Sequence, residues 1–368
     1  MRLVVTTDTV GGVWTFTQEL TRGLLEHGHS VALVSFGRLP SPTQQCTCET
    51  LAHTWGDHFQ YTASDVPLEW MENNSRACTD AAPLLLDIIK QFEADVLHSN
   101  QFCFGALDVS IPKIITAHSD VLSWSQACRG TGLTPSEWLQ QYTTLVQRGL
   151  SGADAVVGPT AWMLHALEEN FDLPSEYHVI PNGYTLTFAP QSNPRKLQAI
   201  TAGRLWDEAK GIGILRDVSS SMPIFIAGET EYESACVIET VGSAIQIGHL
   251  AENELHALFQ QSAIYLCTSI YEPFGLALLE AALYGCALVL RDIPTLREIW
   301  GEEVLYFTEA TSLTDRLQHL YTSTSLLEEM QHRSYQRARM YTRDRMVSAY
   351  IALFSASIQR HEEKACVA

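Results

Sequence analysis

The chain has 368 residues, of which 46% are hydrophobic and 18% are charged, a composition typical of a globular protein with about two domains. Its formal net charge is −19, from 23 Lys+Arg and 42 Asp+Glu, so we expect neither nucleic acid nor an anionic membrane surface as a partner. A local basic pocket is still compatible with this balance.

The first segment predicts a parallel β-α-β unit. Residues 3–5 form a short apolar run, Gly11 and Gly12 follow as a turn, and apolar residues then recur at helical spacing up to Gly28. Residues 31–36 predict the second strand, and the crossover of such a unit is right-handed. The first apolar run is also too short for the core of a signal peptide.

The same alternation continues to about residue 180 and predicts one α/β domain. Its further elements are a helix at 82–92, strands at 95–98, 113–117 and 153–157, a helix from Thr160 and a strand at 179–180. Residues 37–80 are rich in Pro, Thr, Ser and Asn. We expect a long irregular excursion there, near a binding surface.

A polar segment between residues 184 and 196 predicts a linker to a second α/β domain. After it, strands are predicted at 197–202, 224–227, 245–247, 264–267, 287–290 and 304–307. From Thr342 onward, apolar residues at helical spacing predict a final amphipathic helix that could pack on either domain. The predicted divisions are 1–190, 191–341 and 342–368, and two doubly wound domains would bind ligands in the cleft between their sheets.

The cellular compartment is predicted from the apolar stretches and the cysteines. The most apolar stretch, 274–290, is interrupted by Glu280 and Gly285, whereas a membrane-spanning helix needs roughly 20 apolar residues. Cys46 and Cys48, which we expect on a polar loop, are the one close pair among nine cysteines without a CxxC or zinc-like spacing. We therefore expect a cytoplasmic protein with reduced thiols and no stable membrane association.

The most informative segment is 272–276 (Glu-Pro-Phe-Gly-Leu), which follows a predicted strand and opens a helix. A phosphate or a sugar hydroxyl would bind the helix dipole and the free N–H groups of Phe274, Gly275 and Leu276. Glu280 lies about five or six residues into the helix, roughly 8 Å along its axis. One carboxylate could thus bind hexose hydroxyls and the other ribose hydroxyls across a diphosphate. Alternatively, Glu272 caps the helix and Glu280 has only a structural partner.

Two cations follow the first strand of the second domain. Arg204 comes directly after Gly203, and Lys210 follows six residues later. They would neutralise a diphosphate leaving group, the arginine as a planar fork and the lysine as a mobile point charge. The alternative is ordinary surface charge at the end of a strand.

Weaker candidates lie in the first domain. Gly11 and Gly12 would let the backbone approach a ligand closely. His118 ends a predicted strand and is a catalytic or ligand-binding candidate, although a structural histidine fits the same position; His98 and Asn100 have the same status with less weight. Neither GxGxxG nor GxxxxGK[ST] occurs, which argues against an NAD-dependent oxidoreductase and a P-loop enzyme.

Taken together, these motifs resemble those of retaining GT-B glycosyltransferases of family four, a group that includes bacterial mannosyltransferases and relatives of glycogen and sucrose synthases. The resemblance spans nearly the whole chain, and the two-glutamate element is its most specific part. It is carried by Gly11-Gly12, His118, Pro181-Asn182-Gly183, Gly203-Arg204-Leu205, Lys210-Gly211, Glu272-Pro273-Phe274-Gly275-Leu276 and Glu280.

This resemblance implies a reaction. A hexose would pass from a nucleotide sugar of the UDP-glucose or GDP-mannose type to a hydroxyl of a sugar, glycan or small-molecule acceptor. The configuration at the anomeric carbon would be retained, with no cofactor and no required metal. No Asp-x-Asp occurs, so the usual carboxylate pair of metal-dependent GT-A transferases is absent.

The resemblance also implies roles for single residues. Arg204 and Lys210, beside Gly203, would bind the diphosphate, and Glu280 would bind the ribose. Glu272 and the backbone of 274–276 would hold the donor hexose. In the other domain, His118 would lie near the reacting centre, Gly11 and Gly12 would face the phosphates, and the final helix would cross back onto that domain. Asp207 and Glu208, between the two cations, depart from the pattern unless they face solvent.

Two other functions stay open at this point. A nucleotide-sugar epimerase on the same architecture would eliminate and re-add the nucleotide and would be active without an acceptor. A non-catalytic nucleotide-sugar or glycan-binding protein would bind the ligand without turnover. The proposed transferase differs from both because it needs an acceptor hydroxyl.

Overall fold

The computed structural model describes residues 1–186, 195–229 and 241–367. It divides into two compact units. The first contains Met1–Gln126, Thr131–Gly183 and Arg343–Ala368, and the second contains Ala127–Gly130 and Tyr184–Thr342. The domain boundary that the sequence predicts between residues 190 and 191 lies outside the described residues.

The first unit is built on a seven-stranded parallel sheet with the order β3-β2-β1-β4-β5-β6-β7. Its strands are β1 Arg2–Asp8, β2 Ser30–Phe36, β3 Phe59–Ala63, β4 Val96–Ser99, β5 Lys113–Thr116, β6 Ala155–Gly158 and β7 Tyr177–Val179. The central strands β2, β4 and β6 are buried along their whole length, as expected for a parallel sheet covered on both faces.

The helices that accompany this sheet are α1 Gly12–Glu26, α2 Pro42–Trp55, α3 Ala77–Gln91, α4 Val121–Arg129, α5 Glu137–Gly152, α6 Ala161–Glu168 and the C-terminal α12 Arg343–Val367. Helix α12 packs against α1, where Gly23 leaves room for Val347: a Cβ on Gly23 would lie within van der Waals overlap of the valine side chain. Arg343 also forms a 2.7 Å ion pair with Glu26 of α1.

The second unit is built on a six-stranded parallel sheet with the order β10-β9-β8-β11-β12-β13. Its strands are β8 Lys196–Ala202, β9 Ile224–Ala227, β10 Ile245–Gly248, β11 Ser262–Cys267, β12 Ala287–Arg291 and β13 Leu305–Phe307. Its helices are α7 Glu252–Gln261, α8 Leu276–Leu283, α9 Pro294–Trp300, α10 Ala310–Thr322 and α11 Thr324–Ala338.

Both sheets reverse their strand order at one point, β1/β4 in the first unit and β8/β11 in the second. At such a switch point the loops after neighbouring strands diverge, which opens a crevice at the carboxyl edge of the sheet. The loops that carry the candidate residues follow β1, β4 and β5 in the first unit, and β8 and β11 in the second. The predicted fold class, two doubly wound α/β domains, is confirmed.

The prediction of a long irregular excursion over residues 37–80 is wrong. This segment contains α2 and the edge strand β3, which pairs with β2. Helix α2 begins with a capping box in which Ser41 accepts from the N–H of Gln44 and the Gln44 side chain accepts from the N–H of Ser41. The Ser-x-x-Gln pattern, with Pro42 at the first helical position, is a helix-start signal, and the polar composition concealed it.

The prediction of a polar loop around Cys46 and Cys48 is wrong for the same reason. Both residues lie in α2, where side chains two positions apart point in different directions. Cys46 is exposed, whereas Cys48 is buried. Burial raises the pKa of the Cys48 thiol to about 12, so this sulfur stays protonated at neutral pH.

Candidate functional site

In the second unit, the site begins at the loop after β8. Gly203 lies at the end of this strand, and a Cβ there would be 3.2 Å from Cε of Lys210. The absence of a side chain at Gly203 therefore lets the lysine stem lie across the strand end. Lys210 itself lies in a short 3₁₀ turn, Glu208–Lys210, that Gly211 terminates in the left-handed conformation.

The loops after the adjacent strands β8 and β11 are joined at Lys210. The hydroxyl of Thr268 donates to the Lys210 carbonyl at 2.7 Å, and the N–H of Ile270 donates to the carbonyl of Ala209 at 2.8 Å. A Cβ on Gly211 would lie 2.5 Å from the Thr268 carbonyl, so only glycine permits this approach. The result is a lysine whose backbone is held against the β11 loop.

Glu272 is the partner of that lysine. Its Oε2 accepts from Lys210 Nζ at 2.6 Å and from the Ser269 hydroxyl at 3.1 Å. The pair is largely buried, with 19% of the lysine side chain and 13% of the glutamate side chain exposed. Among the described residues, Oε1 of Glu272 has no hydrogen-bond partner. One oxygen is thus held by the protein and the other is available to a ligand.

Helix α8 starts directly after Glu272. Gly275 is its N-cap with φ 88°, in the left-handed region, and has no side chain to cap the helix. In the described parts of the chain, the N–H groups of Phe274, Gly275 and Leu276 find no partner. Free N–H groups at a helix start attract anions and hydroxyl oxygens. The ring of Phe274 packs edge-on against Tyr341 at 5.7 Å, which anchors this turn.

Glu280 lies further along α8 and is 8% exposed. Its Oε2 contacts Nε2 of His256 in α7 at 3.1 Å, and the hydroxyl of Tyr184 lies 3.3 Å from the same nitrogen. Burial raises the pKa of the Glu280 carboxyl, although the histidine opposes the shift. Burial lowers the pKa of His256, but its hydrogen bond to Glu280 and the charges of Glu280 and Glu252 reverse the direction, so that the pKa is raised.

Arg204 is engaged by an acidic side chain. Its Nη2 lies 2.8 Å from Oδ2 of Asp207, whose side chain is only 7% exposed. The guanidinium also lies 5.3 Å from the centre of the Trp206 ring, within reach of a cation–π interaction. Asp207 therefore does not face solvent. A diphosphate that binds Arg204 would have to share this cation with Asp207.

In the first unit, Gly11 and Gly12 form the start of α1. Gly11 is the N-cap, with φ 67° and ψ −142°, and both glycines are exposed. Asp8, at the end of β1, accepts from the N–H of Val10 at 2.8 Å and shapes the turn before them. The strand, glycine turn and helix are placed as the sequence predicts.

His118 follows β5, and Asn100 follows the neighbouring strand β4. The two meet at the carboxyl edge of the sheet, where His118 Nε2 lies 2.8 Å from Asn100 Oδ1. The other amide atom, Nδ2, donates to the Thr6 carbonyl at 2.7 Å and to the Thr17 hydroxyl at 3.1 Å. Because Oδ1 must then be the acceptor, Nε2 of His118 carries the hydrogen and Nδ1 presents a lone pair.

Burial lowers the pKa of His118 to about 3, so the imidazole is neutral at physiological pH. The ring of Phe16 packs edge-on against it at 4.6 Å. His98 differs because it has no exposed surface and its Nε2 contacts the Thr116 hydroxyl at 2.8 Å. That hydroxyl in turn contacts Tyr350 of α12 at 2.9 Å. His98 is therefore a core residue beneath the C-terminal helix.

Two residues that contact the candidate glutamates, Ser269 and His256, were not identified from the sequence. Ser269 lies two residues after the end of β11, and polar residues at the carboxyl end of a parallel strand indicate a candidate ligand site. His256 is a lone histidine in an amphipathic helix, with no motif around it. The roles assigned to Arg204, Lys210, Glu272, Glu280 and His118 stay predictions. The first three and His118 lie in segments that directly follow strands of the two sheets, whereas Glu280 lies within α8.

No cluster of three or more His, Cys, Asp or Glu side chains that could hold a metal ion occurs within residues 1–186, 195–229 and 241–367. In the same part of the chain, every helix is too short or too polar to cross a membrane.

Two family models match the chain. The model described as Glycosyltransferase Family 4 matches residues 10–188, and that described as Glycosyl transferases group 1 matches residues 199–339. Among curated proteins, a glycogen synthase of Mycobacterium tuberculosis is 25% identical over 325 residues, which cover 78% of this chain and 76% of that protein. An α-maltose-1-phosphate synthase of Mycolicibacterium smegmatis is 23% identical over 258 residues, with coverage of 58% and 64%.

Solved structures share the fold. A sucrose-phosphate synthase from Thermosynechococcus elongatus superposes with a TM-score of 0.77 at 15% identity, covering 97% of this chain and 100% of its own. HepE from Anabaena, solved in complex with UDP and glucose, has a TM-score of 0.74 at 15% identity, with coverage of 96% and 99%. The chain is therefore a glycosyltransferase with the GT-B fold, which belongs to glycosyltransferase family 4 through residues 10–188 and to glycosyl transferases group 1 through residues 199–339.

Proposed function

We propose that this protein transfers a hexose from a nucleoside-diphosphate sugar, of the UDP-glucose or GDP-mannose type, to an acceptor hydroxyl with retention at the anomeric carbon. The acceptor is a sugar, a glycan or a small molecule. The observation that carries the proposal is the pair of glutamates at α8. In both Glu272 and Glu280, Oε2 is held by a protein side chain and Oε1 has no partner among the described residues. Glu272 precedes the start of α8, which has free N–H groups, and Glu280 follows it.

The two glutamates have different tasks in this proposal. Glu272, beside Lys210 and the N-terminus of α8, accepts from hexose hydroxyls. Glu280 accepts from ribose hydroxyls. About one and a half turns of helix separate Glu280 from the helix start, roughly 8 Å, which suits a diphosphate between two sugar rings. The crystal of HepE with UDP and glucose and the glycogen synthase relative agree with a donor of this chemical class.

The cations stabilise the leaving group. Lys210 and Arg204 bind the diphosphate as the bond between the anomeric carbon and the phosphate oxygen breaks. The acceptor oxygen forms its bond to that carbon on the same face, and its proton passes to the departing phosphate oxygen. Because Asp207 and Glu272 already pair with these cations, the lysine and arginine are held in place before the donor arrives.

His118 has a positioning task in the first unit. Its neutral ring presents Nδ1 as an acceptor for a sugar hydroxyl, since Nε2–H is committed to Asn100. Gly11 and Gly12 allow the backbone at the start of α1 to approach a phosphate. None of these three residues, His118, Gly11 and Gly12, transfers a proton in the proposed reaction.

We propose that the reaction needs neither a metal ion nor a cofactor, since Lys210, Arg204 and the start of α8 supply the positive charge. Turnover in the presence of EDTA, equal to turnover with added Mg²⁺ or Mn²⁺, is the expected result. We also place the protein in the cytoplasm, in agreement with the free thiols of Cys46, Cys48, Cys78, Cys103, Cys128, Cys267 and Cys286; cell fractionation tests this.

The first experiment is a thermal-shift panel of UDP, GDP and ADP and their glucose, mannose and N-acetylglucosamine conjugates, with NAD as the control. A ligand at 100 times its dissociation constant adds about 2.7 kcal/mol to the free energy of unfolding. Selective stabilisation by one nucleotide and its sugar identifies the donor. Stabilisation by NAD alone, or by no ligand, contradicts the proposal.

Turnover with the identified donor then separates the reaction types. Transfer that requires an acceptor and gives a product with the donor's anomeric configuration, read by NMR coupling constants, supports a retaining transferase. An inverted product overturns the retaining mechanism. Epimerised donor in the absence of any acceptor favours the epimerase. Glu272→Gln is expected to reduce turnover at least tenfold, whereas the exposed Glu328→Gln on α11 is the matched control.

A further inference from the structure

Glu280 is held by a histidine that no sequence motif singles out. His256 lies in the middle of α7 and Glu280 in α8, so their 3.1 Å contact joins two helices. Both residues are 8% exposed. A buried carboxylate without a partner is costly, so the histidine accounts for how this glutamate is tolerated on an otherwise apolar helix.

The contact uses one carboxylate oxygen only. Because an ionised carboxylate can only accept, Nε2 of His256 carries the hydrogen and donates to Oε2. In the parts of the chain that the structure describes, Oε1 of Glu280 has no hydrogen-bond partner. The side chain keeps 11% of its surface exposed. The histidine therefore fixes the plane of the carboxylate and leaves one oxygen for another donor.

His256 is itself held by aromatic neighbours. Its ring centre lies 5.0 Å from that of Tyr284 and 6.4 Å from that of Phe259. The hydroxyl of Tyr184 lies 3.3 Å from Nε2. An imidazole packed in this way has little freedom to change rotamer, so its hydrogen bond to Glu280 has a defined direction.

We propose that His256 is a positioning residue that holds Oε2 of Glu280 and so presents Oε1 to a ribose hydroxyl of the donor nucleotide. This inference rests on the proposed function, in which Glu280 binds ribose. In this arrangement His256 does not touch the nucleotide. Discrimination between ribose and deoxyribose nevertheless depends on it, because it holds the carboxylate that binds the ribose.

The charges around the pair also support a role for His256 in keeping Glu280 ionised. Burial raises the pKa of Glu280, and the hydrogen bond and charge of His256 oppose that shift. Glu252 is the other charged group that acts on both members of the pair, and it favours the protonated form of each. Without the histidine, Glu280 would be protonated more readily. A protonated carboxyl loses acceptor capacity and is a poorer partner for a sugar hydroxyl.

The test measures nucleotide affinity of the full chain by calorimetry. UDP, ADP and GDP identify the nucleotide that binds, and its 2′,3′-dideoxy form is then compared with it. The wild-type protein is expected to prefer the ribonucleotide by about 10- to 100-fold, as for a hydrogen bond to a charged group. In His256→Ala, the affinity for the ribonucleotide should fall about tenfold, while the affinity for the dideoxy form should stay within about twofold.

Further variants separate positioning from folding. His256→Gln should recover most of the preference, because its amide N–H can donate to Oε2. In a Glu280→Ala background, His256→Ala should have no additional effect on the preference, since the histidine acts through that carboxylate. His319→Ala, an exposed histidine on α10, is the matched control. If His256→Ala does not fold, His256→Leu is used for the same comparison, because leucine fills a similar volume without a hydrogen-bond donor.

The outcomes are distinct. If the His256 variants weaken both nucleotide forms equally, or weaken neither, the positioning role is wrong and the contact only links α7 to α8. If the wild-type protein binds a nucleotide but does not distinguish the two forms, and Glu280→Ala changes nothing, the ribose role of Glu280 fails with it. If no nucleotide binds at all, the proposed function fails as well.

Discussion

The ammonium nitrogen of Lys210 lies 2.6 Å from Oε2 of Glu272, between the loop after β8 and the start of α8. Both side chains are more than four-fifths buried. A pair of this kind contributes little net stability, because desolvation offsets most of the attraction, but removal of one member leaves the other as an uncompensated charge. The pair therefore holds the ammonium group of Lys210 in a fixed place beside the residues that precede α8.

The first prediction concerns this pair. Lys210→Met should lower the free energy of unfolding by about 1–3 kcal/mol, because Glu272 keeps only the Ser269 hydroxyl as a partner. Addition of Glu272→Gln should recover part of that loss, since the buried charge is removed. Urea denaturation of the two single variants and the double variant measures the coupling, with Glu328→Gln as the control. Strictly additive effects would show that the two side chains do not interact in solution.

All strands of both sheets except β3 were predictable, because a parallel sheet produces short apolar runs bounded by polar turns. The strand predicted at 224–227 coincides with β9, and that at 287–290 with β12 but for one residue. The prediction for residues 37–80 was wrong, because the helix α2 shows almost no apolar periodicity: only two of its residues are buried. Its start is encoded in the capping pattern at Ser41 and not in hydrophobicity.

The second prediction concerns Gly275. A methyl group there would lie 2.8 Å from Cδ1 of Leu278 and 3.3 Å from Cγ of Glu272, and the backbone φ of 88° is one that other residues rarely adopt. Gly275→Ala should lower the free energy of unfolding by about 1–3 kcal/mol. Because the added methyl pushes on Glu272, turnover should fall even under conditions where the variant is fully folded.

Gly213→Ala is the matched control for this substitution. Gly213 lies in the same unit, and a Cβ there would meet no atom within 4 Å. Activity and thermal unfolding are measured for both variants. Equal behaviour of the two variants would argue that the turn before α8 tolerates a side chain and that its geometry does not depend on glycine.

The third prediction concerns Asn100 and the protonation of His118. The pKa of this histidine is lowered to about 3 by burial, and its Nε2–H donates to the neutral Oδ1 of Asn100. In Asn100→Asp, a carboxylate faces the ring and favours its charged form, so the pKa should rise by about 1–3 units. NMR titration of the imidazole resonances measures the shift, with the exposed Asn73→Asp as the control. An unchanged His118 titration would contradict the hydrogen bond.

The partners in the site were less predictable than its main residues. Arg204, Lys210, Glu272 and Glu280 stand in short motifs next to predicted strands, so position along the chain identified them as candidates. The contacts of His118 with Asn100 and of Glu280 with His256 join residues 18 and 24 positions apart. Such pairs arise from strand order and helix packing, which a single sequence does not display. The acidic charge of Asp207 was noted in the sequence, but its contact with Arg204 required the structure.

The last prediction concerns acid stability and His98. This histidine has no exposed surface, and burial lowers its pKa to about 3, against about 6.5 in an unfolded chain. Below pH 6.5 the unfolded state therefore binds the proton that the folded state excludes. The free energy of unfolding should fall by about 1.4 kcal/mol for each pH unit between roughly 6 and 4 from this group alone.

The variant His98→Gln cannot titrate at this position, and its amide can still bond to the Thr116 hydroxyl, so its stability should decline less steeply. Urea denaturation at pH 7, 6, 5 and 4.5 compares wild type, His98→Gln and the exposed His53→Gln. Parallel curves for wild type and His98→Gln would mean that His98 is not kept neutral by the fold.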